Sequence, residues 1–300
     1  MTSPELQAIL AAVPAGFADP AADYRAVRAT MAPFHDQPVS DATDVDMLEL
    51  GGVPCGRYRR RGRDTGPGYL LHVHGGAFVS CPLAVYHFYG EMILSALERT
   101  VILPDYRLAP EHPWPAAGDD CLAAYRGLLE AGIEPGEVVV LGESCGGGLA
   151  LGALLQARDE GLPMPAGFVS LTGWFDLSMR GAVDGPDPFL SVDWVRNRGR
   201  DYTAGAVALD DPRVSPALAA PEALAGLPPL YLQVGQYDTV APGALELARR
   251  ATLAGVPVEM SGWPGMPQGW HGLLNAGVPE ARTAWRDIRA FVDRRLPAHL

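Results

Sequence analysis

One serine of the chain lies in a setting that could make its hydroxyl a nucleophile. Ser144 stands between Gly142 and Gly146 in a Gly-x-Ser-x-Gly pattern, after the apolar run 138–141 and before the Ala- and Leu-rich stretch 149–157. This order predicts a strand, a sharp turn and a helix, and both glycines are needed because the chain doubles back at the turn. Such a turn lifts the hydroxyl clear of the backbone, at the positive end of a helix. The pattern alone is weak evidence, so its context has to decide.

A nucleotide-binding turn is excluded at this point of the chain. The turn contains no Gly-x-Gly-x-x-Gly, and the whole sequence contains no lysine, since all 23 basic residues are arginine. A phosphate-binding loop that needs a lysine is therefore impossible, and so is a Ser-Lys hydrolase. The serine at the turn also excludes a dehalogenase with an aspartate nucleophile.

A serine hydroxyl needs a base to take its proton and a carboxylate to orient that base. In a doubly wound sheet these partners lie on loops at the carboxyl ends of later strands. Asp238 follows the apolar run 230–234, and His271 lies in the loop after the run 256–260. The order Ser144, Asp238, His271 matches the Ser-acid-His order of α/β hydrolases, so we predict a catalytic triad. Taken singly, Asp238 could be a turn or helix-capping residue and His271 a structural histidine.

Acyl transfer also needs N–H donors for the oxyanion of the tetrahedral intermediate. Gly75 and Gly76 follow the apolar run 69–73, and side chains there would block close approach of a substrate to the backbone. We predict that Gly75, Gly76 and the N–H of Cys145 form the oxyanion hole. His74 is interpreted as a structural residue that holds this loop.

The spacing of apolar runs predicts the fold class. Eight candidate strands with interleaved helices indicate an α/β protein with a mostly parallel sheet, opened by a hairpin over residues 45–59. Residues 176–215 break the rhythm, with no clear sheet element. We predict a catalytic core over 41–175 and 216–300, and a cap formed by N-terminal helices in 1–40 together with the insertion 176–215.

At this point the sequence resembles a known family, the bacterial hormone-sensitive-lipase family of esterases. The resemblance covers about residues 40–296. It is carried by the segments His74-Gly75-Gly76-Ala77, Asp105-Tyr106-Arg107-Leu108-Ala109-Pro110-Glu111, Gly142-Glu143-Ser144-Cys145-Gly146-Gly147, Arg213-Val214-Ser215-Pro216, and by Asp238 and His271-Gly272. It implies an α/β-hydrolase fold with a helical cap and hydrolysis of short- to medium-chain carboxylic esters, through a Ser-Asp-His triad and an acyl-enzyme.

The chain departs from the family pattern at several positions. Glu143 and Cys145 flank the serine where the family usually has Asp and Ala, and Pro242 stands where a second acid is common. Gly173 replaces a common proline. We expect Glu143 to keep the supporting role of the acid and Cys145 to act through its backbone, with its thiol beside the reacting centre.

Composition limits the partners and the compartment. The net charge of −12 argues against nucleic acid and anionic membranes, and no run approaches the 18 apolar residues of a membrane span. The basic run from Arg57 to Arg63 is interpreted as a solvated strand end and hairpin turn. Four cysteines without Cys-x-x-Cys spacing, and no secretory signal, favour a reduced, cytoplasmic enzyme. The two-step acyl transfer expected of the triad requires no metal or organic cofactor. The sequence leaves a homodimer open.

Two other functions remain open. An amidase, deacetylase or lactonase could use the same residues, and a ligand-binding protein could be built on a silenced hydrolase. Phe78, Trp194 and Trp270 are candidates for the substrate pocket or, equally, for the core.

Overall fold

The computed structural model describes residues 2–13, 19–35, 38–62 and 66–296. These residues form eight strands and eight α-helices, and strands and α-helices alternate from β3 onwards. The strands are β1 (Thr43–Leu50), β2 (Val53–Arg60), β3 (Gly66–Val73), β4 (Arg99–Pro104), β5 (Val138–Glu143), β6 (Gly167–Leu171), β7 (Leu230–Gly235) and β8 (Val258–Trp263). The helices are α1 (Pro4–Ala12), α2 (Tyr24–Met31), α3 (Leu83–Leu97), α4 (Ala116–Glu130), α5 (Cys145–Asp159), α6 (Val192–Thr203), α7 (Ala241–Leu253) and α8 (Pro279–Arg295).

The strands form one sheet in the order β1-β2-β4-β3-β5-β6-β7-β8. The β1–β2 and β2–β4 pairs are antiparallel, and every other pair is parallel. The predicted fold class, an α/β-hydrolase sheet opened by a hairpin, is confirmed. The carboxyl ends of β3, β5, β6, β7 and β8 consequently share one edge of the sheet, which we call the rim.

Helices cover both faces of the sheet. Helices α4, α5 and α7 pack on one face, and α3 and α8 pack on the other. Alternate residues of β5 belong to opposite layers: Val138 and Val140 face α5, whereas Val139 and Leu141 face α3 and α8. Burial on both faces is the reason that the central strands are continuous apolar runs.

The edge hairpin carries the basic run. Arg57 and Arg59 both pair with Asp46 on the neighbouring strand, and Arg61 pairs with Asp44. Arg61 is exposed and Arg57 and Arg59 are half-buried, which agrees with the interpretation as a solvated strand end. Arg63 lies outside the described residues.

The predicted cap segments contact one another only in part. The insertion 176–215 holds α6 and no strand. The Arg198 and Asn197 side chains of α6 donate to the carbonyls of Ala22 and Pro20, just before α2. Helix α1 instead packs beside α8, where Leu6 joins a cluster with Trp270. A cap built from α2 and the insertion stays a prediction, and α1 belongs with the end of the core.

No helix within the described residues is long and apolar enough to cross a membrane.

The first turn of α5 packs directly against the end of β3. A Cβ atom at Gly146 would lie 2.2 Å from the carbonyl oxygen of Val73 and 2.4 Å from that of His74. Real Cβ atoms do not approach backbone that closely, so only glycine allows α5 to begin at this point.

We expect Gly146→Ala to lower the free energy of unfolding by at least about 2 kcal/mol, because the backbone of β3 or α5 has to move. Gly152→Ala in the same helix is the matched control, since its Cβ would meet nothing closer than 3.9 Å. That control should stabilise the protein by up to about 1 kcal/mol through helix propensity. Equal effects of the two substitutions in urea denaturation would contradict the packing argument.

Candidate active site

Ser144 occupies a strained turn at the rim. Its backbone angles are φ 51° and ψ −125°, between the last residue of β5 and the first residue of α5. A non-glycine residue with this conformation costs roughly 1–3 kcal/mol, which the surroundings must offset. The Ser144 N–H donates to Leu171 O at 3.2 Å, and Trp174 N–H donates to Ser144 O at 2.8 Å. These bonds tie the turn to the end of β6, and the residue remains partly accessible.

The loop after β3 is also held in an unusual conformation. Gly76, Ala77 and Phe78 all have positive φ, of 110°, 55° and 67°. A Cβ atom at Gly75 would lie 3.1 Å from the Glu143 carboxyl group, and the Gly75 N–H is directed at that carboxyl. This amide therefore supports Glu143, which differs from the predicted role of Gly75 in the oxyanion hole.

Glu143 links the turn to helix α3. Its carboxyl group accepts the Tyr86 hydroxyl at 2.5 Å, and burial raises its pKa above the ordinary value. The expected supporting role of Glu143 thus has a concrete form, because one side chain contacts both Gly75 and Tyr86.

The Cys145 thiol is fixed in the core. Its Sγ accepts the Phe78 N–H at 3.2 Å, the Tyr106 hydroxyl lies 3.9 Å away, and the residue is fully buried. Burial raises the pKa of this thiol to about 12, so it stays protonated. The side chain therefore ties the loop after β3 to the turn. The Cys145 N–H belongs to the first turn of α5, where amides have no intrahelical partner.

His74 is structural, as predicted. Its Nδ1 is 2.7 Å from Gly75 O, its ring stacks on Tyr106 at 4.0 Å, and burial lowers its pKa to about 4. The neutral ring holds the loop after β3 and is unsuited to accept a proton.

Asp238 lies after β7 at the rim, as predicted, and is 5% exposed. Its Oδ1 accepts the Val240 N–H at 3.1 Å, whereas Oδ2 has no partner among the described residues. Burial, and then the neighbouring Asp187, raise its pKa well above the ordinary value. Asp238 is therefore a buried acid beside a second acid, and one of its oxygens is unpaired. Among the described residues it has no contact with an imidazolium, which is the cation that a catalytic carboxylate would stabilise.

Asp187 is a residue of this site that the sequence did not reveal. It lies in the insertion and accepts N–H groups of Phe189 at 3.0 Å and Thr239 at 3.1 Å. The Gln268 N–H also stabilises its charge, although burial raises its pKa overall. The insertion has no strand rhythm, so nothing in the sequence placed Asp187 beside Asp238.

The structure does not bring His271 to the other two triad residues. Its Nε2 lies 2.7 Å from Gln233 Oε1, in the middle of β7. Gln233 Nε2 donates to the Tyr231 hydroxyl and to Ala284 O of α8, so the amide oxygen is the acceptor and the imidazole Nε2–H donates. The ring therefore lies between the sheet and α8, below the rim.

The environment of His271 fits a structural residue. The residue is fully buried, its ring packs on Trp270 at 4.0 Å, and burial lowers its pKa to about 3. Among the described residues its Nδ1 has no hydrogen-bond partner, so no bond links it to Ser144 or Asp238. The role of general base predicted for His271 does not fit this position.

Gln268 is the polar side chain that the loop after β8 places at the rim. Its Nε2 donates to Thr172 O at 3.1 Å, and Thr172 directly follows β6. The residue is 7% exposed. The position of Gln268 in the loop after β8 is the signal in the sequence that points to it. The prediction used the histidine of the same loop, His271, instead.

The three predicted pocket residues separate into two groups. Phe78 stacks on Tyr202 at 4.0 Å and lines a cavity of about 560 Å³ between α4 and α5. Trp270 is fully buried against His271. Trp194 of α6 is buried in the hydrophobic core, and the Arg198 guanidinium lies over its ring. Only Phe78 therefore borders open space near the first turn of α5. No group of three or more His, Cys, Asp or Glu side chains in the described part of the chain is arranged to hold a metal.

Comparison with known proteins gives consistent relatives. An acetyl-hydrolase of Streptomyces hygroscopicus is 37% identical over 227 residues, which cover 74% of each chain. An esterase of Acinetobacter venetianus is 32% identical over 85% of this chain and 83% of its own. The crystal structure of an esterase from the bacterial hormone-sensitive lipase family matches 99% of each chain, with a TM-score of 0.85 and 31% identity.

The chain belongs to the α/β-hydrolase-fold family, whose model matches residues 70–272. Within that family it belongs with the bacterial hormone-sensitive-lipase-like esterases, which are carboxylic ester hydrolases. The predicted resemblance to this family is confirmed.

The burial of the Asp238 carboxyl group predicts that its ionisation lowers the stability of the folded protein. Its folded-state pKa is raised above the ordinary 3.8, so the folded state binds more protons and stability falls as pH rises above about 4. Asp238→Asn should therefore raise Tm at pH 8 by about 2–4 °C, and the gain should shrink toward pH 4. Scanning calorimetry at several pH values measures this.

Asp176→Asn is the control for a buried acid with partners. Asp176 accepts hydrogen bonds from Ser178 and Arg180, so its substitution should lower Tm at both pH values. If Asp238→Asn lowered Tm at pH 8 as well, Asp238 would have a favourable partner that this geometry lacks.

Proposed function

We propose that the chain hydrolyses small carboxylic esters with Ser144 as the nucleophile. The observation that carries this proposal is the strained turn at Ser144, whose φ of 51° lifts the hydroxyl to the rim at the start of α5. A structural serine would gain nothing from a conformation of that cost. The membership of the esterase family and the esterase relatives support the same chemistry.

In the first step, Ser144 Oγ bonds to the carbonyl carbon and the alcohol leaves with a proton, which gives an acyl-Ser144. In the second step, water adds to that acyl group, the carboxylic acid leaves and the serine recovers its proton. The oxyanion is stabilised by the N–H groups of Gly76 and Cys145. His271 stays hydrogen-bonded to Gln233, so solvent water accepts the proton of the Ser144 hydroxyl.

The cavity along α4 and α5 reaches Phe78 and Gly148, close to the serine turn although Ser144 itself does not line it, and its size suits a short to medium acyl chain. Phe78, Leu149, Tyr202 and Val214 contribute apolar surface, and about 560 Å³ lies within the range of small-molecule sites. A ladder of p-nitrophenyl esters from acetate to decanoate measures the preference, which we expect to fall beyond medium chains.

A second candidate is ligand binding without turnover. The observation that favours it is the buried hydrogen bond from His271 to Gln233, which leaves Ser144 without the expected base. An amidase, deacetylase or lactonase would use the same nucleophile, so parallel rates on anilides, acetylated sugars and lactones distinguish these substrates.

Labelling with a fluorophosphonate tests the nucleophile. We expect slow labelling that leaves one phosphonyl group on Ser144 by peptide mass spectrometry, and loss in Ser144→Ala of the ester hydrolysis that exceeds the uncatalysed rate. Ser95→Ala, at an exposed position of α3, is the matched control and should change neither result. Undiminished hydrolysis in Ser144→Ala would overturn the proposal. Absence of labelling, with ligands that still raise Tm, would favour the binding protein.

Cys145→Ala separates the backbone of Cys145 from its thiol. The variant keeps the N–H but loses the acceptor of the Phe78 N–H, so we expect at least a tenth of the hydrolysis rate and a loss of about 1–3 kcal/mol in unfolding free energy. Cys121→Ala, a buried thiol of α4, controls for simple packing loss. A rate as low as that of Ser144→Ala would mean that the thiol itself takes part in the reaction.

A further inference from the structure

The loop after β8 brings residue 268 to the rim, and residue 271 enters the core below it. The loop runs from Trp263 at the end of β8 to a 3₁₀ turn at Trp270–Leu274. Gln268 precedes this turn and contacts the ends of neighbouring strands, whereas His271 lies within the turn and faces α8. Position 268 is therefore the part of this loop that can meet both Ser144 and Asp238.

Contacts on one side connect Gln268 to the nucleophile. Its Nε2 donates to Thr172 O, and the preceding Leu171 O accepts the Ser144 N–H. The next residue, Gly269, donates its N–H to Thr172 Oγ1 at 3.2 Å. A Cβ atom at Gly269 would lie 3.8 Å from Glu143 Oε1, directly before the serine. Gln268 therefore borders the segment that fixes Ser144.

Contacts on the other side connect Gln268 to the acid. Its backbone N–H is directed at Asp187, and the same carboxyl accepts the N–H of Thr239, next to Asp238. The Oδ2 atom of Asp238 is buried there and unpaired among the described residues. A histidine at position 268 would offer an N–H to such an oxygen.

We infer that position 268 is the general-base position of this site, and that Gln268 keeps the enzyme in a form without a base. This inference rests on the proposed function, because it assigns the proton acceptor of the Ser144 reaction. A glutamine amide does not accept a proton near neutral pH. Its carbonyl oxygen already accepts the Gly269 N–H at 3.0 Å, and its nitrogen is bonded to Thr172.

The inference also explains the orphaned acid. In a Ser-His-Asp triad the carboxylate orients the imidazole and stabilises its charged form. With an amide at position 268 no such charge develops, and within the described residues the Asp238 carboxyl has backbone N–H groups as partners while its Oδ2 atom has none. Asp238 thus retains the geometry of a triad acid without the histidine that it would serve.

The test is Gln268→His in the full-length protein, with p-nitrophenyl butyrate as the substrate. Proton transfer by a positioned base contributes about 10²–10⁴-fold, so kcat/KM should rise by about that factor, mostly through kcat. The pH profile should gain a sigmoidal limb near or above the ordinary histidine pKa of 6.5. Glu143 at the end of β5 and Asp187 and Asp238 in the surrounding loops lie near this position, and any of them that is ionised would raise that midpoint.

Two further variants separate a catalytic gain from a structural one. Adding Asp238→Asn to Gln268→His should remove most of the gain, because the imidazole loses the carboxylate that orients it and stabilises its charged form. Adding His271→Gln to Gln268→His should keep the gain, since a glutamine there can still donate to Gln233. If His271→Gln abolished hydrolysis in the original protein while the variant stayed folded, His271 would be the base and the inference would be wrong.

If Gln268→His does not fold, a second variant tests the same inference. Gln268→Gly opens space at the rim, and added imidazole should then accelerate ester hydrolysis with saturation. Imidazole should have no saturable effect on the original protein. The inference is overturned if a folded Gln268→His gains no rate and imidazole does not rescue Gln268→Gly.

The outcomes distinguish this inference from the proposed function. If fluorophosphonate labels Ser144 and the original protein hydrolyses esters, but neither variant gains, position 268 is not the base position and the proposed function stands. If Ser144 is not labelled in the original protein or in Gln268→His, the proposed function itself fails.

Discussion

The strained backbone at Ser144 is the constraint on which the site depends. It persists because the first turn of α5 packs without a side chain against β3, where Gly146 meets the carbonyls of Val73 and His74. Hydrogen bonds to Leu171 and Trp174 hold the same turn from the side of β6. Strain of this kind is retained where the surrounding structure over-determines it, and here three elements do so.

The same packing determines what the neighbouring side chains can do. Glu143 and Cys145 each hold part of the loop after β3, because their side chains accept N–H groups of that loop. These two departures from the family pattern are therefore compatible with the fold, since both preserve the relation between the loop and the serine. Gln268, at the position that we assign to the general base, has another consequence. Its amide cannot accept the proton of the Ser144 hydroxyl.

Much of the fold could be predicted from the sequence because its signals are local. The apolar run before Ser144 and the glycines around it predict β5 and α5, and the hairpin at Gly51 and Gly52 was equally clear. The hydrogen-bond partner of His271 could not be predicted from the sequence. Only three positions along the loop separate residue 268 at the rim from His271, which lies between the sheet and α8. A histidine in the expected order was the strongest available signal, and only packing against Gln233 and Trp270 shows where its ring lies.

Asp187 and helix α1 show the other limit of sequence reasoning. Asp187 reaches the site through hydrogen bonds to Thr239 and Phe189, from an insertion with no periodic pattern. Helix α1 was predicted to belong to the cap, yet Leu6 packs with Trp270 beside α8. Contacts between residues far apart in the sequence determine the positions of Asp187 and of α1. Local sequence propensities do not predict such contacts.

The crystal structure of the fluorophosphonate adduct tests the central claim most directly, because it fixes the nucleophile in a geometry close to the tetrahedral intermediate. The account predicts phosphorus on Ser144 Oγ, a phosphonyl oxygen about 2.7–3.1 Å from the N–H groups of Gly76 and Cys145, and His271 still bonded to Gln233. Gln268 should be the nearest side chain of the loop after β8. An adduct in which the imidazole of His271 has moved to the rim and contacts Ser144 Oγ would contradict the account.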